Sequence, residues 1–266
     1  RALGFEIPAY AHLPLILMPD KSKMSKRKHE TSVKRYREMG ILPQAILNYL
    51  ALLGWTPPSG KEMLSVADMI AEFDLADLHK SGAVFDIEKL RWFNREYLLK
   101  MRDDDFAAMA LERLRTALEK HSIVWDESIG LKLLPLLRER ISLWDDIDAQ
   151  VGEGEYDYFF VDPQSEPASI PQKNGDPVKA IEYLTAILEI LQARSDTECS
   201  DPEKIKAAIW PYAEAEGRGN VLWPLRYSLS GRAKSPDPFL IASIVGKESA
   251  IRRVSNAIGL LKRTTQ

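Results

Sequence analysis

"LPQAILNYLALLG", Leu42 to Gly54, is the stretch on which the fold class turns. Pro43 stands near its start, where a missing N–H is no loss to a helix, and Gly54 marks a stop. Ile46, Leu50 and Leu53 recur at helical spacing and are expected on one face. The same signal repeats outward along the chain. "SVADMIAEF" has Ser65 as N-cap and Val66, Met69, Ile70 and Phe73 at helical spacing. "FDIEKLRWFNREYLLKM" opens at Asp86, with Ile87, Leu90, Phe93, Tyr97 and Met101 in register. "DDDFAAMALERLRTALEKH" is a further helix, and "GLKLLPLLRERISLWDDI" another, with Pro135 as a kink or early-turn residue.

Past the middle of the chain, Asp176 and Pro177 open "VKAIEYLTAILEILQAR". Ser200 with Glu203 forms a capping-box pattern before "KIKAAIWPYAEAEG". Asp237 and Pro238 cap "FLIASIVG", which Gly246 ends. Lys247 starts a last helix with Ile251, Val254, Ile258 and Leu261 inward. Extended character is confined to the first 19 residues, where "LPLILMP" (Leu13 to Pro19) reads as a buried strand. Gly152 to Pro177 carries four prolines and no periodicity, and reads as a linker or long surface loop. At least eight helices and few strands make the fold mainly α.

Composition narrows the function classes. Hydrophobic residues at 45% and charged residues at 28% are those of an ordinary globular chain and exclude a disordered one. No apolar run approaches the roughly 18–20 residues of a membrane span. Cys199 is the single cysteine, so no internal disulfide forms and a reducing compartment is expected. The four histidines lack ligand spacing, so no metal site is expected. The chain opens on Arg1, and "RALGFEIPAY" reads like the interior of a domain, as in a piece of a longer protein.

Charge is unevenly placed within a formal total of −3. Asp126 to Glu203 holds 18 acids and 6 bases, whereas Gly217 to Gln266 holds 9 bases and 2 acids. "DKSKMSKRKHETSVKRYREMG", Asp20 to Gly40, packs eight Lys and Arg residues into one loop. Polyanion binding needs local positive faces, so a negative total does not exclude a nucleic acid partner.

Within that loop sits "KMSKR", Lys23 to Arg27, which resembles the KMSKS-type signature of class I aminoacyl-tRNA synthetases. A flexible loop of ammonium groups suits the negative charge that builds on ATP phosphates as an amino-acid carboxylate attacks the α-phosphorus. One such motif is weak, but ordered companions run along almost the whole chain. "GFEIPAYAHLPLIL", "GILPQAILNYLALLGW", "FDIEKLRWFNREYL", "VLWPLRYSLSGRAKSPDPF" and "GKESAIRRV" resemble successive motifs of bacterial-type glutamyl-tRNA synthetases. Ser228 and Ser230 depart mildly, standing where that family usually has Ala and Thr.

The resemblance implies a small mixed α/β stem-contact region followed by an all-helical anticodon-binding cage of two subdomains. The implied divisions are 1–102 for the KMSKS-type loop and stem contact, and 103–198 and 199–266 for the two anticodon subdomains. It implies ATP with Mg2+ as the parent's cofactor, tRNA(Glu) and glutamate as partners, a monomer, no membrane, and a cytoplasmic location with an organelle matrix as the alternative. Lys26 is implied as the principal catalytic phosphate contact, with Lys23, Ser25 and Arg27 holding the nucleotide.

Lys34, Arg35 and Arg37 suit the tRNA backbone. Lys89 and Asn94 fall near the stem, beside a Trp92 expected in the core. For the anticodon, Arg138 is the candidate reader and Arg140 its alternative. Residues two apart on a helix point to different faces, so at most one of the two is expected to read a base. A surface pairing of Arg138 with Glu139 or Asp145 is the bland alternative. Arg226 and Arg232 are the candidates from the second subdomain, with a buried structural role the alternative for Arg226. The HIGH motif has no counterpart around His12, His29, His79 or His121, so the chain alone is expected to be inactive in glutamate activation. A helical protein-interaction module, or a synthetase part that also serves glutamine tRNA, is the rival reading.

Overall fold

The computed structural model describes residues 4–6, 10–25, 32–172 and 175–265. Among these, α-helices follow one another almost without strands: α1 (Val33–Glu38), α2 (Pro43–Gly54), α3 (Val66–Glu72), α4 (Ile87–Lys100), α5 (Asp103–Lys120), α6 (Glu127–Arg140) and α7 (Asp145–Gly152). There follow α8 (Asp157–Phe160), α9 (Pro177–Gln192), α10 (Asp196–Cys199), α11 (Pro202–Glu216), α12 (Arg218–Ser230), α13 (Pro238–Val245) and α14 (Lys247–Thr264). The mainly α expectation holds. Two compact units result: residues 1–106 with 138–146, and residues 107–137 with 147–266.

In the first unit α2 packs on α4. Its core joins Ile41, Ala45, Tyr49, Leu90, Phe93 and Leu143, all nearly or fully buried. α2 buries Ala45, Asn48 and Tyr49, with Ile46 and Leu53 half-buried against the same core. Leu50 is 46% exposed and lines an apolar groove with Leu13, Leu15, Ile16, Leu53 and Phe73. Asn48 sits inside because both ends of its amide are bonded. It donates to Glu62 O at 2.9 Å, while Oδ1 accepts from Leu64 N at 2.9 Å and Tyr97 OH at 3.0 Å. A buried amide that completes its bonds avoids the desolvation penalty that otherwise bars polar groups from cores. Gly40 holds φ of +78°, and a Cβ there would meet Trp144 Cβ at 2.5 Å, so two reasons require glycine.

The caps at Ser65, Asp86, Asp176 and Asp237 form as the sequence implies. Three expectations fail. The N-cap of α11 is Asp201, which accepts from Glu203 N, and the capping box lies at Ser195 and Glu198 on α10. The expected buried strand at Leu13–Pro19 is instead a segment with Leu13 and Leu15 exposed and Leu17 alone in ladder pairing. Prolines at both ends leave it few donors, and no second strand among the described residues runs beside it.

The supposed linker is not a linker either: Tyr156, Phe159 and Ile170 are buried to 1% or less. A turn of helix at α8 and a short 3-10 turn at Pro167–Ser169 order it. Aromatic side chains supply the core contacts that helical periodicity would otherwise signal.

In the second unit α9 packs on α14, and α12 packs on α9, α11 and α13. Two lysines close helix ends there. Lys247 Nζ donates to Gln192 O at 3.2 Å and also to Arg194 O, past the end of α9. Lys132 Nζ reaches Ser243 O and Ile244 O at 3.4 and 3.3 Å, the last turn of α13. Ammonium groups suit these carbonyls because a helix C-terminus carries partial negative charge.

Candidate functional site

The basic loop of the first unit is anchored through one residue. Leu17 pairs antiparallel with Lys23 and parallel with Val84. Met18 N donates to Ser22 O and Lys21 N to Met18 O, both at 2.8 Å, closing a tight turn. Lys21 adopts φ of +63°, and Asp20 Oδ1 accepts from Ser22 N at 2.9 Å to hold that left-handed turn. On the other side Leu17 N donates to Ala83 O at 2.8 Å, and Phe85 N donates to Leu17 O at 2.7 Å. The residues that lead into α4 thereby brace the start of "KMSKR". Gly82 makes the approach possible, since a Cβ there would lie 2.9 Å from Leu15 O and 3.0 Å from Leu17 Cδ1.

Lys23 lies exposed on this anchor and Ser25 is half-buried beside it. Lys26 and Arg27 lie outside the described residues. A hollow of about 530 Å³ adjoins the anchor, lined by Met18, Met24, Met39, Tyr36, Phe85 and Arg35 among others. The short α1 that follows starts at Ser32, whose side chain accepts from Lys34 N. It presents Lys34, Arg35 and Arg37 outward. Lys34 lies 3.8 Å from Glu38, a highly exposed pair that leaves the ammonium available to a phosphate. These three cations share one short element, as the sequence order requires.

Lys89 is exposed, 3.6 Å from Glu62. Asn94 needs correction. It is fully buried, its Oδ1 accepts from Leu42 N at 2.7 Å and its Nδ2 donates to Ser142 O at 2.6 Å. With both ends of the amide used inside the unit, it braces backbone and presents nothing to RNA. Trp92 is the reverse case: it is 41% exposed with its ring edge-on to Phe93, not in the core.

Arg138 is held on two sides. Its Nη1 donates to Asp103 Oδ1 at 2.7 Å, and its guanidinium lies 4.4 Å from the centroid of Phe106. The partner is Asp103, neither Glu139 nor Asp145. A ring beneath and a carboxylate beside it fix the guanidinium plane, which pre-orients a fork of donors. Arg140, two residues on, is half-buried.

Arg226 and Arg232 flank the end of α12 in the second unit. Arg226 Nη2 donates to Ala233 O at 3.0 Å and its guanidinium stacks 4.8 Å from Trp223. Arg232 Nη2 donates to Asp157 Oδ2 at 2.8 Å. Between them Ser230 Oγ donates to Arg226 O at 2.8 Å and accepts from Arg232 N at 3.2 Å. Ser228 Oγ likewise donates to Pro224 O at 2.6 Å. Both departures from the family pattern are therefore satisfied buried hydroxyls. Gly231 closes the helix at φ of +65°, with Pro163 packed so that a Cβ would meet it at 2.9 Å.

A cleft of about 340 Å³ opens beside this turn, walled by Asp157, Val161, Asp162 and Gln164 on one side and Ser230 to Arg232 on the other. Sequence reasoning missed the group behind it. Arg253 is 4% exposed, and its Nε donates to Asp162 Oδ1 at 3.0 Å. Arg252 donates to Asp162 as well, Nε to Oδ2 at 2.8 Å and Nη2 to Oδ1 at 3.0 Å. The hydrogen bond from Arg252, then that from Arg253, holds the Asp162 carboxyl below the usual carboxylate range against the opposing effect of burial. The available signal was positional: Arg253 lies between Ala250 and Ala257 on the inward face of α14.

Comparison with known proteins gives these features a family. The model "tRNA synthetases class I (E and Q), catalytic domain" matches residues 1–92, and the model "Anticodon binding domain" matches residues 87–258. The chain is 35% identical to a glutamate–tRNA ligase of Flavobacterium johnsoniae, over 98% of this chain and 53% of that protein. It is 35% identical to one of Clostridium acetobutylicum, over 98% and 52%. A crystal structure of a glutamate tRNA ligase from Elizabethkingia meningosepticum in complex with its amino acid superposes with a TM-score of 0.77 at 33% identity, over 97% of this chain and 53% of that one. The chain spans about half the length of the curated relatives it matches. The two family models follow one another over residues 1–258 and the relatives match along 98% of the chain, which belongs to the glutamyl-tRNA synthetase family of class I aminoacyl-tRNA synthetases and carries its anticodon-binding domain.

Proposed function

We propose that this chain is the tRNA-recognising part of a glutamate–tRNA ligase, binding the inner stem and anticodon of tRNA(Glu) and contributing the KMSKS-type loop to ATP-dependent glutamate activation. The observation that carries this reading is the order of the two family matches, a catalytic-domain model running into an anticodon-binding model within one chain. Residues 1–102 take the loop and stem contact in this reading, 103–198 the first anticodon subdomain and 199–266 the second. The protein acts as a monomer in the cytoplasm, and an organelle matrix is the alternative location. No helix among the described residues is long and apolar enough to cross a membrane.

ATP, with Mg2+, supplies the phosphoanhydride that the glutamate carboxylate attacks at the α-phosphorus. Lys23 and Ser25 would hold the nucleotide, with Lys26 and Arg27 following them in sequence, and their ammonium, hydroxyl and guanidinium groups are donors suited to phosphate oxygens. Lys34, Arg35 and Arg37 would neutralise backbone phosphates. Arg138, Arg226 and Arg232 would meet unstacked anticodon bases with their planar donor forks, Arg140 being the alternative to Arg138.

The chain by itself is proposed to be inactive in glutamate-dependent ATP–pyrophosphate exchange; clear exchange would overturn that part. Binding is tested by electrophoretic mobility shift with tRNA(Glu) against scrambled RNA at two salt concentrations. Preferential retention of tRNA(Glu) supports the reading. Equal retention of both RNAs, or of neither, overturns it in favour of a protein-interaction module.

A further inference from the structure

The cleft beside Gly231 has two walls from distant parts of the chain, and a single buried side chain joins them. From α14, Arg253 sends Nε to Asp162 Oδ1 at 3.0 Å and Nη2 to Val161 O at 3.4 Å, both on the first wall. Its Nη1 donates to Leu229 O at 2.9 Å, in the last turn of α12 that carries the second wall. Arg253 is 4% exposed, so it is not presented to a ligand. The Arg232–Asp157 pair spans the same two walls at 2.8 Å.

We propose that Arg253 is a positioning residue for base recognition: it sets the spacing between the Val161–Asp162 wall and the α12 terminus, and so aims Arg232 at a nucleobase in the cleft. This inference rests on the anticodon reading above.

The physical argument is geometric. Guanidinium is planar and rigid, so three acceptors bound to one guanidinium are held at a set separation. Lysine keeps the charge and three N–H donors, but these radiate from one nitrogen on a flexible stem and do not hold three acceptors at the separations a planar fork sets. Recognition of a base edge depends on donor placement within a few tenths of an ångström, and sites too loose by about 1 Å lose function. Arg252 supports the same wall from outside by binding both oxygens of Asp162, and its other bond goes to Ser249 on its own helix. Arg253 is therefore the buried link between the walls, and the Arg232–Asp157 pair is the exposed one.

The test measures binding of two anticodon stem-loop RNAs to the full chain, one with the glutamate anticodon and one with that triplet scrambled. Arg253→Lys and Asp162→Asn are compared with wild type, each with its thermal melt. The expected result is a discrimination ratio reduced by about tenfold or more in both variants, the loss of one good base contact. Affinity for the scrambled loop should stay near the wild-type value. A purely structural role would lower the melting temperature and leave the ratio intact. A cooperatively folded Arg253→Lys with the wild-type ratio overturns the inference. Should that variant not fold, Asp162→Asn decides alone, since it keeps the Arg253 bond to Leu229 O and removes the charge and one of the two acceptor oxygens that tie the first wall to the guanidinium groups. A wild-type chain indifferent to the triplet overturns the anticodon reading and this inference together, whereas variants that discriminate as wild type does overturn this inference only.

Discussion

Replacing Asn94 by Ala removes both members of a buried double bridge. The lost partners are Leu42 N, which donates to Oδ1 at 2.7 Å, and Ser142 O, which accepts from Nδ2 at 2.6 Å. Asn94 has no exposed surface, and Leu90 and Phe93 around it are equally buried, so neither orphan finds bulk water. A buried donor or acceptor left unsatisfied costs about 1–3 kcal/mol, and two of them give roughly 2–6 kcal/mol, the lower end holding where a water enters the vacated space. That is a large share of the stability of a unit this size. Urea unfolding followed by circular dichroism reads the total. Native-state amide exchange at Leu42 reads the local part, and its protection should fall by a comparable free energy. Arg95→Ala is the control: its Nη2 donates to Glu139 O at 3.0 Å from an exposed position, and its loss should stay within about 0.5 kcal/mol. An Asn94→Ala protein within about 0.5 kcal/mol of wild type would refute the reasoning, as would undiminished Leu42 protection. RNA affinity per folded molecule should be unchanged, because the amide is not presented to RNA.

Gly82→Ala should loosen the anchor of the basic loop, since its Cβ would meet Leu15 O at 2.9 Å. A destabilisation of about 1–3 kcal/mol, with faster exchange at the Leu17 and Phe85 amides, is the expected outcome. Lys34→Ala should reduce the slope of log affinity for tRNA against log salt by about one, and an unchanged slope removes Lys34 from the interface. Asp162 has a depressed folded-state pKa, so its contribution is present above the unfolded carboxylate value near 4 and is lost as pH falls through the folded value. Thermal melts between pH 5 and pH 2 should therefore fall more steeply for wild type than for Asp162→Asn; parallel curves would contradict the assignment.

Helix positions were legible because caps and stops are local. Ser65, Asp86, Asp176 and Asp237 each announce a helix within a few residues of themselves. Which face of a helix turns inward was less legible. Apolar periodicity favoured Leu50, but the interior of α2 is built on Asn48, whose burial depends on acceptors and donors at Glu62, Leu64 and Tyr97. Tertiary hydrogen bonds of that kind leave no periodic trace. The same cause misassigned Asn94, a polar residue in a motif-rich helix, to the surface. The aromatic loop from Tyr156 to Ile170 hid its order because its core residues follow neither a helical nor an alternating pattern. At the candidate sites the residue types were legible and the pairings were not. Arg138 takes its carboxylate from 35 residues upstream, and Arg253 takes its own from 91.

Those pairings change what the basic C-terminal tally means. From Gly217 onward nine bases face two acids in the sequence, a face that would draw any polyanion. In the folded chain Arg218, Arg232, Arg252 and Arg253 already bind carboxylates, and Lys247 binds main-chain oxygens. On the proposed reading, RNA would reach the exposed ones, Arg218, Arg232 and Arg252, by ligand exchange, one oxyanion displacing another, rather than by simple addition. Exchange returns little free energy unless the incoming oxygen arrives at the same angle and distance as the one displaced. On that reading the surface would act as a geometric filter, indifferent to charge offered in the wrong place.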